Sequence, residues 1–196
     1  RNYSEHALEL NNKIPQEPLF FLKPETAIPL KNQPFFIPDF SQEIHHEIEI
    51  ILKINKTGKH IQEQFAHTYY DELSVGIDFT ARDVQKKIKQ NREPWEKSKA
   101  FDGSAPIGSF LKKTTFTDLN NVNFKLLVNN KIQQTGNTKN MIFSIDQIIS
   151  YISKFITLKK GDLIFTGTPS GVKKVQKEDI LEGFIENQKI LEVNIK

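Results

Sequence analysis

Between Ile44 and Ile54 the chain alternates except at His46 and Ile51, with Ile44, Ile48, Ile50, Leu52 and Ile54 on even positions and His45, Glu47, Glu49 and Lys53 on odd ones. A period of two with β-branched residues predicts a strand with one apolar face. From Met141 to Phe155 the apolar residues recur at three and four, which predicts a helix. A shorter helical pattern runs from Tyr3 to Leu10; Asn2 with Glu5 three positions on reads as its start, and Asn11-Asn12 closes it. Gln62 to Asp71 also has a helical look. Val75 to Phe79 is a short apolar run ending at Thr80, which with Asp83 reads as a cap for a helix from Ala81 to about Gln90. Asn123–Val128 and Lys131–Thr135 form a predicted hairpin about Asn129-Asn130. Asp162–Thr166 and Asp179–Ile195, with Gly183, read as strands around the loop Gly167–Gly171.

Two stretches resist both periods. From Pro15 to Asp39 six of the nine Pro alternate with Phe20, Phe21, Phe35 and Phe36, which predicts extended segments and turns anchored by aromatic rings. Pro94 to Pro106, with Gly103, reads as a loop. Nothing resembles a linker, so residues 1–196 are expected to form a single α+β domain, strand-rich with short peripheral helices.

Composition narrows the function classes. The hydrophobic fraction is only 37%, but 15 Phe, 4 Tyr and 1 Trp supply bulk for an ordered core. The most apolar segments are interrupted by Glu49, Lys53, Asp146 and Lys154, so no membrane span is expected. The net charge of +3 is spread along the chain and only 3 of its 27 basic residues are Arg, which speaks against nucleic-acid binding. Zero Cys excludes disulfides, thiolate metal sites and thiol nucleophiles, and fits a cytoplasmic protein. The start at Arg1-Asn2-Tyr3 suggests a longer natural chain with a short strand ahead of it.

The sharpest candidate for chemistry is Glu47-Ile48-Glu49, because side chains two apart on a strand share a face. On an exposed face water screens the pair; on a buried one it calls for a hard cation with oxygen ligands. Spacing alone leaves both open. Asp78, at the end of an apolar run, is either a third ligand or an ordinary helix-start acid. Arg82 and Gln85, three apart, can hold a carboxylate, and Arg82 can equally pair with a neighbouring acid. His6 and Glu9 have the spacing at which a carboxylate orients an imidazole base, an arrangement also common on plain surfaces. His45 and His46 face opposite ways and neither is favoured as a ligand. Lys99 can place a positive charge beside a developing enolate, although most of the 24 Lys must be surface residues. Gly167-Thr168-Pro169-Ser170-Gly171 offers backbone donors but lacks the Lys of a nucleotide-binding loop.

In order along the chain, Arg1-Asn2-Tyr3 with His6 and Glu9, HHEIEI from His45, GIDFTARDVQ from Gly76, KAFDGSAPIG from Lys99, NMIFSIDQIISYIS from Asn140 and GDLIFTGTPSGV from Gly161 resemble the fumarylacetoacetate hydrolase family, in its small acylpyruvate hydrolase and oxaloacetate decarboxylase-like branch. The resemblance implies a mixed β-sandwich roll with peripheral helices and a homodimer. It implies one divalent cation, Mg2+ or alternatively Mn2+ or Ca2+, on Glu47, Glu49 and Asp78. It assigns a catalytic dyad to His6 and Glu9, enolate assistance to Lys99, and contacts with a small oxo-acid substrate to Arg82, Gln85 and Thr168. The activity it implies is hydrolysis of 3-acylpyruvates to pyruvate and a carboxylate through a cation-stabilised enolate, with decarboxylation of oxaloacetate at the same site. The alternative is an isomerase or tautomerase of 2-oxo or 2-hydroxy dienoic diacids or of oxaloacetate. Ile77 and Ser109 depart from residues common at those places in the family.

Overall fold

The computed structural model describes residues 1–30 and 33–196, so Lys31 and Asn32 of the proline-rich stretch lie outside the described residues. Along the chain the strands are β1 (Ile44–His46), β2 (Ile48–Ile54), β3 (Tyr70–Ile77), β4 (Thr80–Ala81), β5 (Leu111–Lys112), β6 (Asn123–Val128), β7 (Lys131–Asn137), β8 (Leu163–Phe165), β9 (Lys173–Lys174), β10 (Ile180–Ile185) and β11 (Gln188–Asn194). The helices are α1 (Ser4–Glu9), α2 (Glu63–Ala66), α3 (Arg82–Asn91), α4 (Glu96–Lys99) and α5 (Ile145–Phe155). The strands form antiparallel sheets in the orders β5-β3-β2-β8, β11-β10-β6-β7 and β4-β1-β9, and a parallel bridge joins Phe35 to Ile195. This is the strand-rich α+β roll expected.

β2 and β3 are the spine. Their register sets Ile48 against Ile77, Ile50 against Val75 and Leu52 against Leu73, all fully buried. This face packs on the second sheet, where Gly183 of β10 leaves the room that Val75 and Ile48 fill: a Cβ there would meet Val75 Cγ2 at 2.9 Å. The opposite face carries Glu49 against Gly76 and Ile51 against Ser74. Both polar side chains on that face are buried: the loop after β8 covers Glu49 through Gly167 N–H, and Ser74 donates to Ser109 O at 3.1 Å.

The hairpin about Asn129 and Asn130 forms as expected, both residues taking the left-handed conformation (φ 50° and 63°) that matches strand twist. Several boundaries move. α1 begins after Tyr3 without a side-chain cap, because the Asn2 amide is spent elsewhere: it donates to Phe143 O and Thr166 O (2.9 Å each) and accepts from Phe143 N (2.7 Å). α5 starts at Ile145 rather than Met141, behind a capping box of Ser144 and Gln147; Ile142 and Phe143 instead hydrogen-bond to Asn2. Within Gln62–Asp71 only Glu63–Ala66 is α-helical, since Tyr70 already opens β3. The loop Pro94–Pro106 contains the one-turn helix α4. Among the described residues no helix is long and apolar enough to cross a membrane.

Candidate active site

Register builds the acidic centre. Continuing the β2–β3 ladder past Glu49 and Gly76 brings Glu47 opposite Asp78, and Asp78 N–H donates to Glu47 O at 2.8 Å. Strand alternation then points Glu47, Glu49 and Asp78 to one face. Each offers a carboxylate oxygen within 4.8 Å of the others, and all are at most 6% exposed. The solvated-face reading of the glutamate pair is thereby removed. Three hard, buried oxygen donors fit Mg2+, Mn2+ or Ca2+, whose chemistry selects such a set.

Cationic side chains converge on the same oxygens. Lys99, delivered by the last residue of α4, donates to Glu47 Oε2 (2.7 Å), Asp78 Oδ2 (2.6 Å) and Thr80 Oγ1 (2.5 Å). Arg82 bonds Glu47 Oε1 through one nitrogen and Gln85 Oε1 (2.8 Å) through another, while its buried Nε has no hydrogen-bond partner among the described residues. Thr80 is thus not the cap of α3; Ala81 holds that position, and Asp83 instead takes Ser41 Oγ at 2.6 Å. Lys23 was not legible in the sequence. It reaches in from the proline-rich stretch with Nζ 2.8 Å from Asp78 Oδ1, near enough for an ion pair but outside hydrogen-bond geometry, and donates to Ser104 Oγ (2.9 Å) and Lys99 O.

The protonation states follow from burial and these partners. Burial, then Asp78, then Glu47 push Glu49 up to about 8. Burial pushes Glu47 the same way, but Lys99 and Arg82 outweigh it and hold Glu47 well below the usual carboxylate range. For Lys99 burial favours the neutral amine, and Asp78 and Glu47 overcome it, raising its pKa.

His6 is 5% exposed, and its Nδ1 lies 3.2 Å from Glu9 Oε2. Burial lowers its pKa against the pull of Glu47 and Glu9, so the imidazole is neutral at pH 7. The loop after β8 lies between dyad and carboxylates: Gly167 N–H donates to Glu49 Oε2 at 2.6 Å and Gly171 N–H to Glu9 Oε1 at 3.0 Å. Thr168 sits on that loop, 2% exposed, with Oγ1 accepting from Gln134 Nε2 at 2.8 Å. Each site residue expected from the sequence therefore lies in this neighbourhood. His45 and His46 lie outside the carboxylate group; His46 bonds Gln134 and His45 bonds Glu43. A cavity of about 720 Å³ opens beside Glu49, Asp78 and Lys23 and runs on between apolar Phe143, Ile152 and Phe165.

Residues 1–196 match the family described as fumarylacetoacetate (FAA) hydrolase C-terminal. A mitochondrial oxaloacetate tautomerase of Mus musculus is 39% identical over 196 residues, covering 100% of this chain and 89% of the relative. A mitochondrial oxaloacetate decarboxylase of Dictyostelium discoideum is 44% identical over 183 residues, 93% and 84% of the two chains. Among solved structures, fumarylpyruvate hydrolase of Pseudomonas aeruginosa in complex with Mn2+ and pyruvate superposes with a TM-score of 0.93 at 34% identity, covering 100% of this chain and 86% of that one.

Proposed function

Since the chain belongs to the fumarylacetoacetate hydrolase family, we propose that it acts on oxaloacetate, interconverting its keto and enol forms, with carbon–carbon cleavage to pyruvate as a secondary activity. The observation that carries this reading is the loop from Gly167 to Gly171, which ties the carboxylate cluster to the His6–Glu9 dyad and so makes one site of two. Glu47, Glu49 and Asp78 would hold the divalent cation, which when bound supplies a Lewis acid for the carboxylate and 2-oxo oxygens of the substrate.

The chain's own residues do the rest. With Glu9 accepting from Nδ1, the lone pair of His6 is on Nε2, and a neutral imidazole there takes a proton from carbon 3 of the keto acid. Glu9 keeps the ring oriented and stabilises the imidazolium. Lys99 places its ammonium beside the negative charge that develops on oxygen, and the returning proton completes the enol. Arg82, whose Nε has no partner among the described residues, and Gln85 orient a substrate carboxylate. Cleavage of 3-acylpyruvates, the reaction first expected, uses the same groups with His6 activating water, and the likeness to a fumarylpyruvate hydrolase supports it as the second reading. A homodimer, carried over from the family, is part of this proposal and is checked by mass in solution.

The test follows enol absorbance of oxaloacetate and, separately, pyruvate release, with Mg2+ and after chelation. The expected result is chelator-sensitive acceleration of enol decay that exceeds pyruvate formation. His6→Ala is expected to lose about 100- to 10,000-fold in tautomerisation while retaining most of any decarboxylation. Folded, Mg2+-loaded protein that leaves enol decay at its uncatalysed rate would overturn the tautomerase reading; pyruvate from acetylpyruvate in the same preparation would move the assignment to the hydrolase.

A further inference from the structure

We infer that Gln134 is a positioning residue that sets the Thr168 hydroxyl as a hydrogen-bond donor toward the substrate. Gln134 leaves β7 with 1% exposure, and its amide makes four bonds. Oε1 accepts from Ile48 N–H (3.1 Å) and from His46 Nδ1 (2.8 Å). Nε2 donates to Pro169 O (2.9 Å) and Thr168 Oγ1 (2.8 Å). A backbone N–H only donates and a backbone carbonyl only accepts, so Ile48 and Pro169 alone fix which end of the amide is oxygen.

Two directions follow. His46 must carry its proton on Nδ1, and Thr168 Oγ1 must accept from Gln134. A hydroxyl has one hydrogen, and that of Thr168 meets no acceptor among the described residues. It is carried on the residue next to Gly167, whose N–H holds Glu49, within the loop that reaches Glu9 through Gly171. A buried, forced donor on the loop that joins the carboxylate cluster to the dyad is matched to an anionic oxygen, and its ligand, a carboxylate or 2-oxo oxygen, rests on the reading of the site given above. Gln134 thus touches no substrate itself and acts by denying Thr168 the opposite orientation.

Oxalate, a dianion whose vicinal oxygens mimic a 2-oxo acid, is the probe, titrated calorimetrically into Mg2+-loaded protein. Gln134→Glu keeps the shape but turns the donor end into an acceptor, so the Thr168 hydroxyl swings toward position 134. Oxalate is expected to bind roughly 10- to 100-fold more weakly. In a Thr168→Val background the same substitution should add nothing, whereas in Thr168→Ser the loss should persist. Additive losses in the Thr168→Val background would overturn the proposal and leave Gln134 a structural residue. Wild-type protein that takes Mg2+ but no oxalate would instead overturn the 2-oxo acid reading. Nitrogen-15 spectra of the wild-type imidazoles give a check that needs no folded variant: His46 protonated on Nδ1 supports the network, and the opposite tautomer overturns its direction.

Discussion

Glu49 is the residue on which the proposed cation binding turns. Burial and the charges of Asp78 and Glu47 push its carboxyl up to about 8, so at pH 7 it is largely protonated, whereas a cation needs the carboxylate. Binding of Mg2+ at pH 7 is therefore expected to release close to one proton. The apparent affinity should rise by about tenfold per pH unit up to pH 8 and level off above it. Calorimetric titration in buffers of different ionisation enthalpy measures the released proton directly; no dependence on buffer would contradict the assignment. At this scale the sequence was informative where chemistry and spacing coincide, as in Glu47-Ile48-Glu49 or His6 and Glu9. It was silent on Lys23 and Gln134, because nothing local distinguishes one Lys among 24 or a Gln on a hairpin strand. Their roles arise only from contacts with Asp78 and Thr168, far along the chain.

The pairing of β2 with β3 is the element that makes the site, since one register brings Glu47 opposite Asp78 and sets Glu49 against a residue without a side chain. A Cβ on Gly76 would lie 2.4 Å from Ile51 Cδ1 and 2.8 Å from Pro106 O, and although the isoleucine can turn, the carbonyl is backbone that accepts from Ile77 N. Gly76→Ala is therefore expected to destabilise by about 1–3 kcal/mol in urea unfolding. It should also weaken Mg2+ binding, because the strain falls two residues from Asp78; unchanged affinity would show that the ladder tolerates the shift. Strand β2 was legible from its alternation, and so was the Asn129-Asn130 turn, but the predicted strand Ile44–Ile54 divides at Glu47 into β1 and β2, which join different sheets. Element ends were not, for a physical reason: Asn2 and Thr80 have the chemistry of caps, but tertiary partners claim their side chains. The α4 turn is likewise too short for any period to register, although it delivers Lys99.

At the scale of the whole molecule the site is a junction. The α1 helix, the proline-rich stretch through Lys23, the β2–β3 ladder, α3, α4 and the loop after β8 each contribute to it. A cation bound there holds these segments together and stabilises the folded chain by mass action, by about 2.7 kcal/mol at a hundredfold excess over its dissociation constant. For a chain of this size each kcal/mol is worth roughly 2–4 °C, so Mg2+ should raise Tm by about 5–10 °C. Because Lys99, Lys23 and Arg82 already neutralise the carboxylates, chelation should lower Tm without unfolding the protein. Glu49→Gln separates binding from charge crowding. The folded pKa of Glu49 lies above its unfolded value, so between pH 4.5 and about 8 the unfolded chain has released a proton that the fold retains, and stability falls as pH rises. Glutamine has no such proton and keeps an oxygen for Gly167 N–H. With chelator present, the stability of Glu49→Gln relative to wild type should therefore grow through that window and level off above it. The same variant should lose the Mg2+-induced rise in Tm. A variant that is destabilised at every pH would mean that Glu49 is held by favourable partners, and would remove the case for a carboxylate kept in the core to bind a cation.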